Sequence, residues 1–466
     1  MPASFSRLPA NLVQCRKYIH NEINQLLEHT YTFNGQRTAF LPANHLATAT
    51  QDRVIQHLLT IDTPSNNLSP AARMAFFHLV KRSARKMCIA FFYSGLSMAN
   101  LYQVIHGSSP LRKDADLPFL TNVHPMTPDQ YQRVSGHQYL FLAPVFIKGQ
   151  FHLSLAARVP IPIDFSTKSG TLGGGAGGKV FSAEVHNEHH QIPGLTQPFA
   201  LKQIVDVRSA QRERHVLELF ANTAVARNPH VAKIYAGFRL PERTYLIAEK
   251  LQGNLNELMK ENLRGSVGDR ASLSKPWFLS QLRGLADALA QIHSVPGQSV
   301  CHRDIKPDNI LYQETRIRDR RKQYTFKITD WGCATGDNYT NRKQSSPRNI
   351  AKGSPPYNPP EARKGQSSSR KHDVWALGCV YLELLIWYTG GYAALMHFRT
   401  ARESENDEDF CQQDNPKKLV GEVRTQLSAL ESISGREWAR QVRTIRRMLT
   451  VEKTRLTAAQ VSIQIR

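Results

Sequence analysis

One short segment places an acid, a lysine and an amide at a spacing that suits phosphoryl transfer. Residues 301–311 read CHRDIKPDNIL, with Asp304, Lys306 and Asn309 within six positions. A hydroxyl that attacks a phosphate needs a group to accept its proton, a cation beside the phosphate and a ligand for Mg²⁺. Asp304, Lys306 and Asn309 supply these groups in that order. The segment therefore predicts a site that transfers a phosphoryl group.

A second carboxylate follows at the end of a predicted strand. Residues 326–332 read FKITDWG, so Asp330 stands directly after a stretch that alternates apolar and polar residues and before Trp331. Carboxylate and amide oxygens are ligands that Mg²⁺ accepts in proteins. We expect Asp330 to join Asn309 as a metal ligand.

A glycine-rich run upstream could cover phosphates. Residues 170–180 read GTLGGGAGGKV and fit the pattern G-x-G-x-x-G-x-V with Gly173, Gly175, Gly178 and Val180. Glycines lack Cβ and let backbone N–H groups approach phosphate oxygens. Such a run is by itself more typical of a linker. Apolar stretches at 159–165 and 180–185 predict strands on both sides, which favours a phosphate-covering hairpin.

Taken in order, these segments resemble the eukaryotic protein kinase family over residues 161–465, with D-W-G where the family usually has D-F-G. Lys306 and Pro307 are similar to those of serine/threonine kinases. The resemblance implies an ATP-dependent enzyme that uses Mg²⁺ and phosphorylates protein hydroxyl groups, with Asp304 as catalytic base.

The resemblance also implies the remaining site residues. Lys202 would contact the ATP phosphates and pair with Glu213. The spacing from Glu213 to the following Asn-Pro turn is longer than the family's, so Glu218 stays an alternative. The expected contacts of the adenosine and its phosphates are Gly173, Gly175, Gly178, Val180, Ala200, Lys202, Glu249 and Leu251.

Other positions that match the family have structural or regulatory expectations. Ala248 would be a small gatekeeper with space behind it. Glu361 would pair with Arg455, and Asp373 would hold the catalytic loop. The expected phosphorylation sites between Gly332 and Ser354 are Thr335, Tyr339, Thr340, Ser345 and Ser346.

The predicted fold class is α+β. We expect a bilobal kinase fold with a small antiparallel-sheet N-lobe that has one main helix, and a larger helical C-lobe. A mostly helical region precedes it, which is similar to filamentous-fungal kinases with an extra N-terminal helical region. The predicted boundaries are 1–135 for the helical region, 136–160 for a strand-containing lead-in and 161–466 for the kinase domain, with N-lobe 161–249, hinge 250–253 and C-lobe 254–466.

The N-terminal region shows no pattern of residues that is typical of a catalytic or metal-binding site. The apolar run at 87–101 is interrupted by polar residues before it reaches the roughly 20 residues that a bilayer requires. It predicts a buried helix. Residues 136–146 and 149–153 predict strand segments that lead into the kinase domain.

The charge of the chain indicates acidic partners. Sixty Lys and Arg against 38 Asp and Glu give a formal net charge of +22. No nucleic-acid-binding motif accompanies this charge, which favours acidic protein substrates or a solvated surface over nucleic acid. The six cysteines form no C-x-x-C pair and indicate a reducing compartment, so we expect a cytoplasmic or nuclear protein.

Two other function classes are weighed against the kinase. A pseudokinase scaffold would bind partners or nucleotide without efficient phosphoryl transfer. Three features favour it: Gly177 at the loop tip, where kinases usually carry an aromatic residue, Trp331, and the open choice of glutamate partner for Lys202. A nucleic-acid-binding protein that reuses the fold would bind with a steep salt dependence.

Overall fold

The structure is a computed structural model. It describes residues 5, 7–31, 36–62, 68–107, 112–164, 171–175, 178–260, 273–316, 322–338, 354–363, 369–406, 409–412, 418–432 and 438–465. The chain divides into two compact units. The first contains Met1–Thr171, Phe181–Phe199 and Ala236–Tyr245, and the second contains Leu172–Val180, Ala200–Tyr235 and Leu246–Arg466. These units cut across the predicted domain boundaries, which stay a prediction.

Seven α-helices and a hairpin build the N-terminal part of the first unit within the described residues. The helices are α1 Leu12–Leu26, α2 Ala43–Ala49, α3 Asp52–Ile61, α4 Pro70–Ser83, α5 Arg85–Tyr93, α6 Met98–His106 and α7 Pro128–His137, and the hairpin strands are β1 Glu28–Tyr31 and β2 Arg37–Phe40. Side chains stabilise several helix starts: Asn11 caps α1, and Ser97 and Asn100 form a capping box on α6. The six residues Met87–Phe92 of α5 are all buried, so this helix is central to the core of the region.

A seven-stranded sheet follows in the chain. Its order is β4-β10-β11-β9-β7-β5, with β6 paired to β7. The pairing of β4 with β10 is parallel, and that of β5 with β7 is antiparallel. The strands of this part are β3 Phe146–Ile147, β4 Leu153–Ser154, β5 Ile163–Asp164, β6 Thr171–Gly175, β7 Gly178–Val185, β8 His190–Gln191, β9 Phe199–Ile204, β10 Ile234–Leu240 and β11 Arg243–Ala248.

Within the first unit, the turn between β7 and β8 is fixed to the N-terminal helical region. His189 in this turn is 1% exposed, and its Nδ1 donates to Pro144 O at 2.8 Å. The N–H of Ala43 donates to His189 Nε2 at 3.1 Å, so the ring is neutral with its hydrogen on Nδ1. Burial lowers the pKa of His189, consistent with this neutral ring. Phe40 packs edge-on against the same ring at 5.1 Å.

The second unit contains most of the remaining helices and three small strand pairings. The additional elements are α8 Val207–Phe220, β12 Gly253–Asn254, α9 Leu255–Lys260, α10 Lys275–His293, β13 Gln298–Cys301, β14 Ile310–Arg316, β15 Lys322–Ile328, β16 Thr335–Asn338, α11 Pro360–Arg363, α12 Lys371–Asn406, α13 Gly421–Ser432, α14 Ala439–Met448 and α15 Ala458–Gln464. Helix α12 is interrupted at Gly391, whose φ of 81° favours glycine.

Among the described helices, only the segment Lys371–Glu403 is long and apolar enough to cross a membrane, and 78% of its apolar window is buried. Such burial is typical of a core helix.

The predicted α+β fold class, with its helical N-terminal region, is confirmed by the observed elements. Two local predictions were wrong. The expected single helix at 87–101 is two helices, because Gly95 at φ 76° and the Ser97 cap end α5 and begin α6. The expected strand at 136–146 is the end of α7 and a 3-10 helix at Gln138–Phe141, and only Phe146–Ile147 is a strand.

The β1–β2 hairpin was not predicted in the N-terminal region. Its strands have only four residues each and pair from Glu28↔Phe40 to Tyr31↔Arg37. A four-residue strand is too short to show a clear alternation of apolar and polar residues. The Thr30 hydroxyl donates to Ile161 O, which ties the hairpin to the chain just before β5.

A buried ion pair in the second unit joins two distant segments. The guanidinium of Arg455 contacts Glu361 at 2.6 Å and also donates to Thr450 O and Lys371 O. The Arg455 side chain is 0% exposed and lies over the Trp375 ring at 5.0 Å. The Arg455 charge is therefore paired where it is fully buried, and the Glu361 charge where it is nearly buried.

Replacing Arg455 with methionine should lower the free energy of unfolding by about 3–5 kcal/mol, because Glu361 would keep a nearly buried charge without its partner. Thermal or urea unfolding of the full chain measures this change. Lys453→Met is the matched control, since Lys453 is exposed two positions away and should cost under about 0.5 kcal/mol. Equal effects of the two substitutions would contradict the predicted role of the pair.

Candidate active site

The predicted catalytic loop holds the Asp304 carboxylate by several contacts. Asn309 Nδ2 donates to Asp304 Oδ2 at 2.8 Å, and the Ser354 N–H donates to Asp304 Oδ1 at 2.9 Å. Lys306 Nζ lies 3.2 Å from Asp304 Oδ2 and donates to the Ser354 hydroxyl at 2.5 Å. The carboxylate, the ammonium and the amide are thus within direct reach of one another, as their spacing in sequence suggested.

A buried carboxylate from α12 fixes the backbone of this loop. Asp373 is 0% exposed and accepts the backbone N–H groups of His302 and Arg303, both at 2.8 Å, and His293 Nε2 at 2.9 Å. Burial works against its charge, but the hydrogen bond and charge of His293 and the histidines nearby hold the pKa of Asp373 well below its usual range. Asp373 therefore stays ionised and keeps all three donors.

Lys202 on β9 connects α8 to the predicted metal ligand. Its Nζ lies 2.9 Å from both Glu213 oxygens and 2.9 Å from Asp330 Oδ1. Burial opposes the ammonium charge, but the Glu213 and Asp330 carboxylates raise the pKa of Lys202. Burial likewise opposes the charge of Asp330, and Lys202 lowers the pKa of Asp330 below its usual value. Glu213, 1% exposed, is the partner of Lys202, whereas Glu218 lies 3.5 Å from Arg214.

The two predicted metal ligands are adjacent through the backbone. The N–H of Thr329 donates to Asn309 O at 3.0 Å, so Asp330 follows directly beside Asn309. The Asn309 amide nitrogen is used by Asp304, which turns the amide oxygen away from that carboxylate. Asp330 Oδ1 accepts from Lys202 and Gly332, and among the described residues Oδ2 is the free oxygen. Two hard oxygen donors of this kind fit Mg²⁺.

The glycine-rich hairpin is formed by β6 and β7, with its tip at 176–177 outside the described residues. Gly173 and Gly175 lie on β6, and Gly178 and Val180 on β7. A Cβ at Gly178 would lie 1.8 Å from Gln203 O, and its φ of 135° also favours glycine. Glycine at position 178 therefore allows the hairpin to approach β9 closely.

At the predicted hinge, the Glu249 side chain is part of an ion pair that sequence reasoning missed. Lys327 Nζ lies 2.9 and 3.0 Å from the two Glu249 oxygens, and the Lys233 N–H donates to Glu249 Oε1 at 2.7 Å. The Lys327 side chain is 4% exposed. The available signal was a lysine between Phe326 and Ile328, in the strand before Asp330. Ala200 on β9 is 9% exposed, and the adenine contacts expected of Ala200, Glu249 and Leu251 stay predictions.

Trp331 packs behind the metal ligand. It is 0% exposed, with Phe220 of α8 edge-on at 4.9 Å and the His302 ring at 4.8 Å. The larger aromatic ring thus links α8 to the catalytic loop within the second unit. Ser354, which contacts both Asp304 and Lys306, was not among the predicted site residues.

Arg303 is buried with its charge unmatched among the described residues. The residue is 6% exposed, and its Nε and Nη1 have no hydrogen-bond partner there. Of the expected phosphorylation sites, Thr335 lies on β16 opposite Cys301. Tyr339, Thr340, Ser345 and Ser346 lie outside the described residues.

Comparison with known sequences identifies relatives of this chain. A family model for the protein kinase domain matches residues 166–462. The chain is 30% identical over 234 residues to the serine/threonine-protein kinase chk-2 of Caenorhabditis elegans, covering 48% of this chain and 43% of that protein. It is 26% identical over 260 residues to the MAP kinase-activated protein kinase 2 of Homo sapiens, covering 52% and 55%. It is 27% identical over 215 residues to an Aurora kinase of Yarrowia lipolytica, covering 46% and 50%. The chain thus spans about half the length of these relatives.

Asp373→Asn should destabilise the folded chain by about 3 kcal/mol near neutral pH, since an amide oxygen cannot replace both carboxylate oxygens as acceptors. The lowered pKa of Asp373 means that the carboxylate contributes fully above about pH 4 and loses its contribution as the pH falls further. The difference between parent and variant should therefore shrink on acidification.

Urea unfolding of both proteins from about pH 7 to about pH 2.5 measures this difference across the range in which the contribution of the carboxylate is lost. The exposed Asp308→Asn variant is the control and should match the parent throughout. A difference between parent and Asp373→Asn that grows as the pH falls would refute the role of the Asp373 carboxylate.

Proposed function

This chain belongs to the protein kinase family, and we propose that it transfers the γ-phosphate of ATP to serine or threonine hydroxyl groups of proteins with the help of Mg²⁺. The arrangement around Asp304 carries the proposal. Its carboxylate lies within hydrogen-bond distance of Asn309 and Ser354 and 3.2 Å from the Lys306 ammonium. The serine/threonine class agrees with the names of its relatives.

Asp304 is the base in the proposed reaction. Contacts with Asn309 and Ser354 fix its carboxylate, so an incoming hydroxyl meets an oriented acceptor for its proton. Lys306, which also binds the Ser354 hydroxyl, supplies positive charge near the phosphate that is transferred. The proton of the substrate hydroxyl ends on Asp304 as the new P–O bond forms and the bond to ADP breaks.

Lys202 holds the nucleotide phosphates in the proposed complex. Glu213 fixes the Lys202 ammonium through two 2.9 Å contacts. The raised pKa of Lys202 keeps the positive charge that phosphate binding needs. Asn309 and Asp330 would hold Mg²⁺. A bound Mg²⁺ would neutralise charge on the phosphate oxygens.

The buried guanidinium of Arg303 supports the proposal that phosphorylation regulates this chain. Its buried Nε and Nη1 have no partner among the described residues, and a buried guanidinium without an anion is costly. A phosphate on one of the residues expected between Gly332 and Ser354 would supply that anion and two or more oxygens for the guanidinium.

Asp304→Asn should lower kcat by about 10²–10⁴-fold, because the amide keeps the shape of the side chain but cannot accept the proton. Asp330→Asn should lose activity through weaker Mg²⁺ binding, and removing Mg²⁺ with a chelator should abolish activity of the parent. Transfer of labelled phosphate from ATP to a generic basic protein, with phosphoamino-acid analysis, measures these effects.

Asp308→Asn is the matched control for this assay. Asp308 is an exposed acid in the same loop, where Asn256 donates to it at 2.9 Å, and its loss should leave kcat close to that of the parent. A parent protein that binds ATP but transfers no phosphate under any of these conditions would favour the pseudokinase scaffold instead.

The small side chain at Ala248 should make the chain sensitive to bulky ATP-competitive inhibitors. Ala248→Met would fill the space behind the adenine and weaken such inhibitors by at least about tenfold, since one or more methylene groups would overlap the compound. Inhibition constants measured with parent and variant provide the test, with the KM for ATP as the control. Equal sensitivity of the two proteins would refute the gatekeeper assignment.

A further inference from the structure

A cavity of about 810 Å³ lies in the N-terminal helical region, outside the residues assigned to the active site. Helices α4 and α6 provide most of its lining. Phe76 and Tyr102 form an aromatic floor, with their rings edge-to-face at 5.2 Å. The small residues Ala72 and Ala75 of α4 leave room above this floor.

The rim of this cavity is basic. His78, Lys81, Arg82 and Arg85 lie on its α4 and α5 side, and His106 of α6 lines it as well. No carboxylate belongs to the lining among the described residues. His78 and Arg82 are one helical turn apart on α4 and therefore face the same direction.

The charges at the rim are only partly matched. Asp52 on α3 forms ion pairs with both Lys81 and Arg85, the latter at 2.7 Å. Arg82 is exposed and has no ion pair among the described residues. One carboxylate thus faces three permanent cations, which leaves a net positive rim around an aromatic floor.

We propose that this cavity binds a phosphoserine or phosphothreonine side chain within a peptide. The planar guanidinium of Arg82 can bind two phosphate oxygens at once, and His78 and His106 can donate further hydrogen bonds. The volume exceeds what a phosphate ion fills and lies in the range of specific ligand sites. The side chain next to the phosphorylated residue would pack on Phe76 and Tyr102.

The observations favour a phosphopeptide over nucleic acid. Nucleic-acid surfaces usually present basic residues along an extended stripe or face. Here the basic groups surround one cavity whose floor is apolar. The inference rests on the proposed function, because a serine/threonine kinase produces peptides of this kind. A substrate already phosphorylated once would then be retained on the same chain, which raises its local concentration at the active site.

Fluorescence anisotropy with the full chain, without ATP, provides the test. The probes are degenerate peptide pools with one fixed phosphoserine or phosphothreonine and the same pools without phosphate. The phosphorylated pools should bind at least about tenfold more tightly. Arg82→Glu should remove this preference, and His106→Gln should weaken it to a smaller extent.

Lys17→Glu is the matched control, since it makes the same change in charge at an exposed position of α1 that does not line the cavity. It should keep the preference for phosphorylated pools. Asp304→Asn should also bind normally, so a failure of phosphoryl transfer and a failure of this site are told apart. Arg82→Glu should in turn keep the parent's rate on a substrate that carries no phosphate.

Four results would overturn the proposal: equal affinity for phosphorylated and unphosphorylated pools, unchanged binding by Arg82→Glu, loss of the preference in Lys17→Glu, or tighter binding of single-stranded RNA than of the phosphopeptides. Competition by inorganic phosphate at concentrations close to the peptide Kd would also overturn it, because the site would then recognise an anion without a peptide. Weak competition by inorganic phosphate supports the role of the aromatic floor.

Discussion

The shape of the catalytic loop depends on one buried carboxylate. Asp373 accepts two consecutive backbone N–H groups, from His302 and Arg303, and these contacts hold Arg303 at a φ of 69°. A non-glycine residue in that region is disfavoured by about 1–2 kcal/mol. The charged hydrogen bonds offset this cost, because each contributes about as much when it is shielded from water. Because Asp304 directly follows Arg303 in the chain, this backbone conformation determines where Asp304 lies.

A second constraint is the charge balance around Lys202. One ammonium contacts two carboxylates, Glu213 and Asp330, which leaves a local excess of one negative charge. This excess would favour the divalent cation proposed at Asp330, and a bound cation would in turn favour the phosphates of the proposed nucleotide. The nearby pair of Lys327 and Glu249 is neutral as a unit and adds no charge to this balance. The positions of Lys202, Glu213 and Asp330 therefore depend on the balance of their charges as much as on side-chain packing.

Short motifs could be predicted from the sequence because their spacing within a few residues determines their geometry. The choice between Glu213 and Glu218 could not, because the extra residues lie in the end of α8 and a 3-10 turn at Ala224–Arg227 that spacing alone does not reveal. The pair of Lys327 and Glu249 joins residues 78 positions apart, and no local pattern relates them. What the sequence left undetermined was thus mainly contact between distant segments.

The contacts of His189 bear on where this chain can be divided. The ring is bound by Pro144 and Ala43, both of which precede the stretch that the family pattern covers. A fragment trimmed to that stretch would lose Phe40 from the face of the His189 ring and leave the imidazole without either hydrogen-bond partner. The helical region is therefore better regarded as part of the scaffold that positions the β7–β8 turn than as an appendage. Recombinant fragments that respect the family pattern alone would leave a buried polar side chain unsatisfied for this reason.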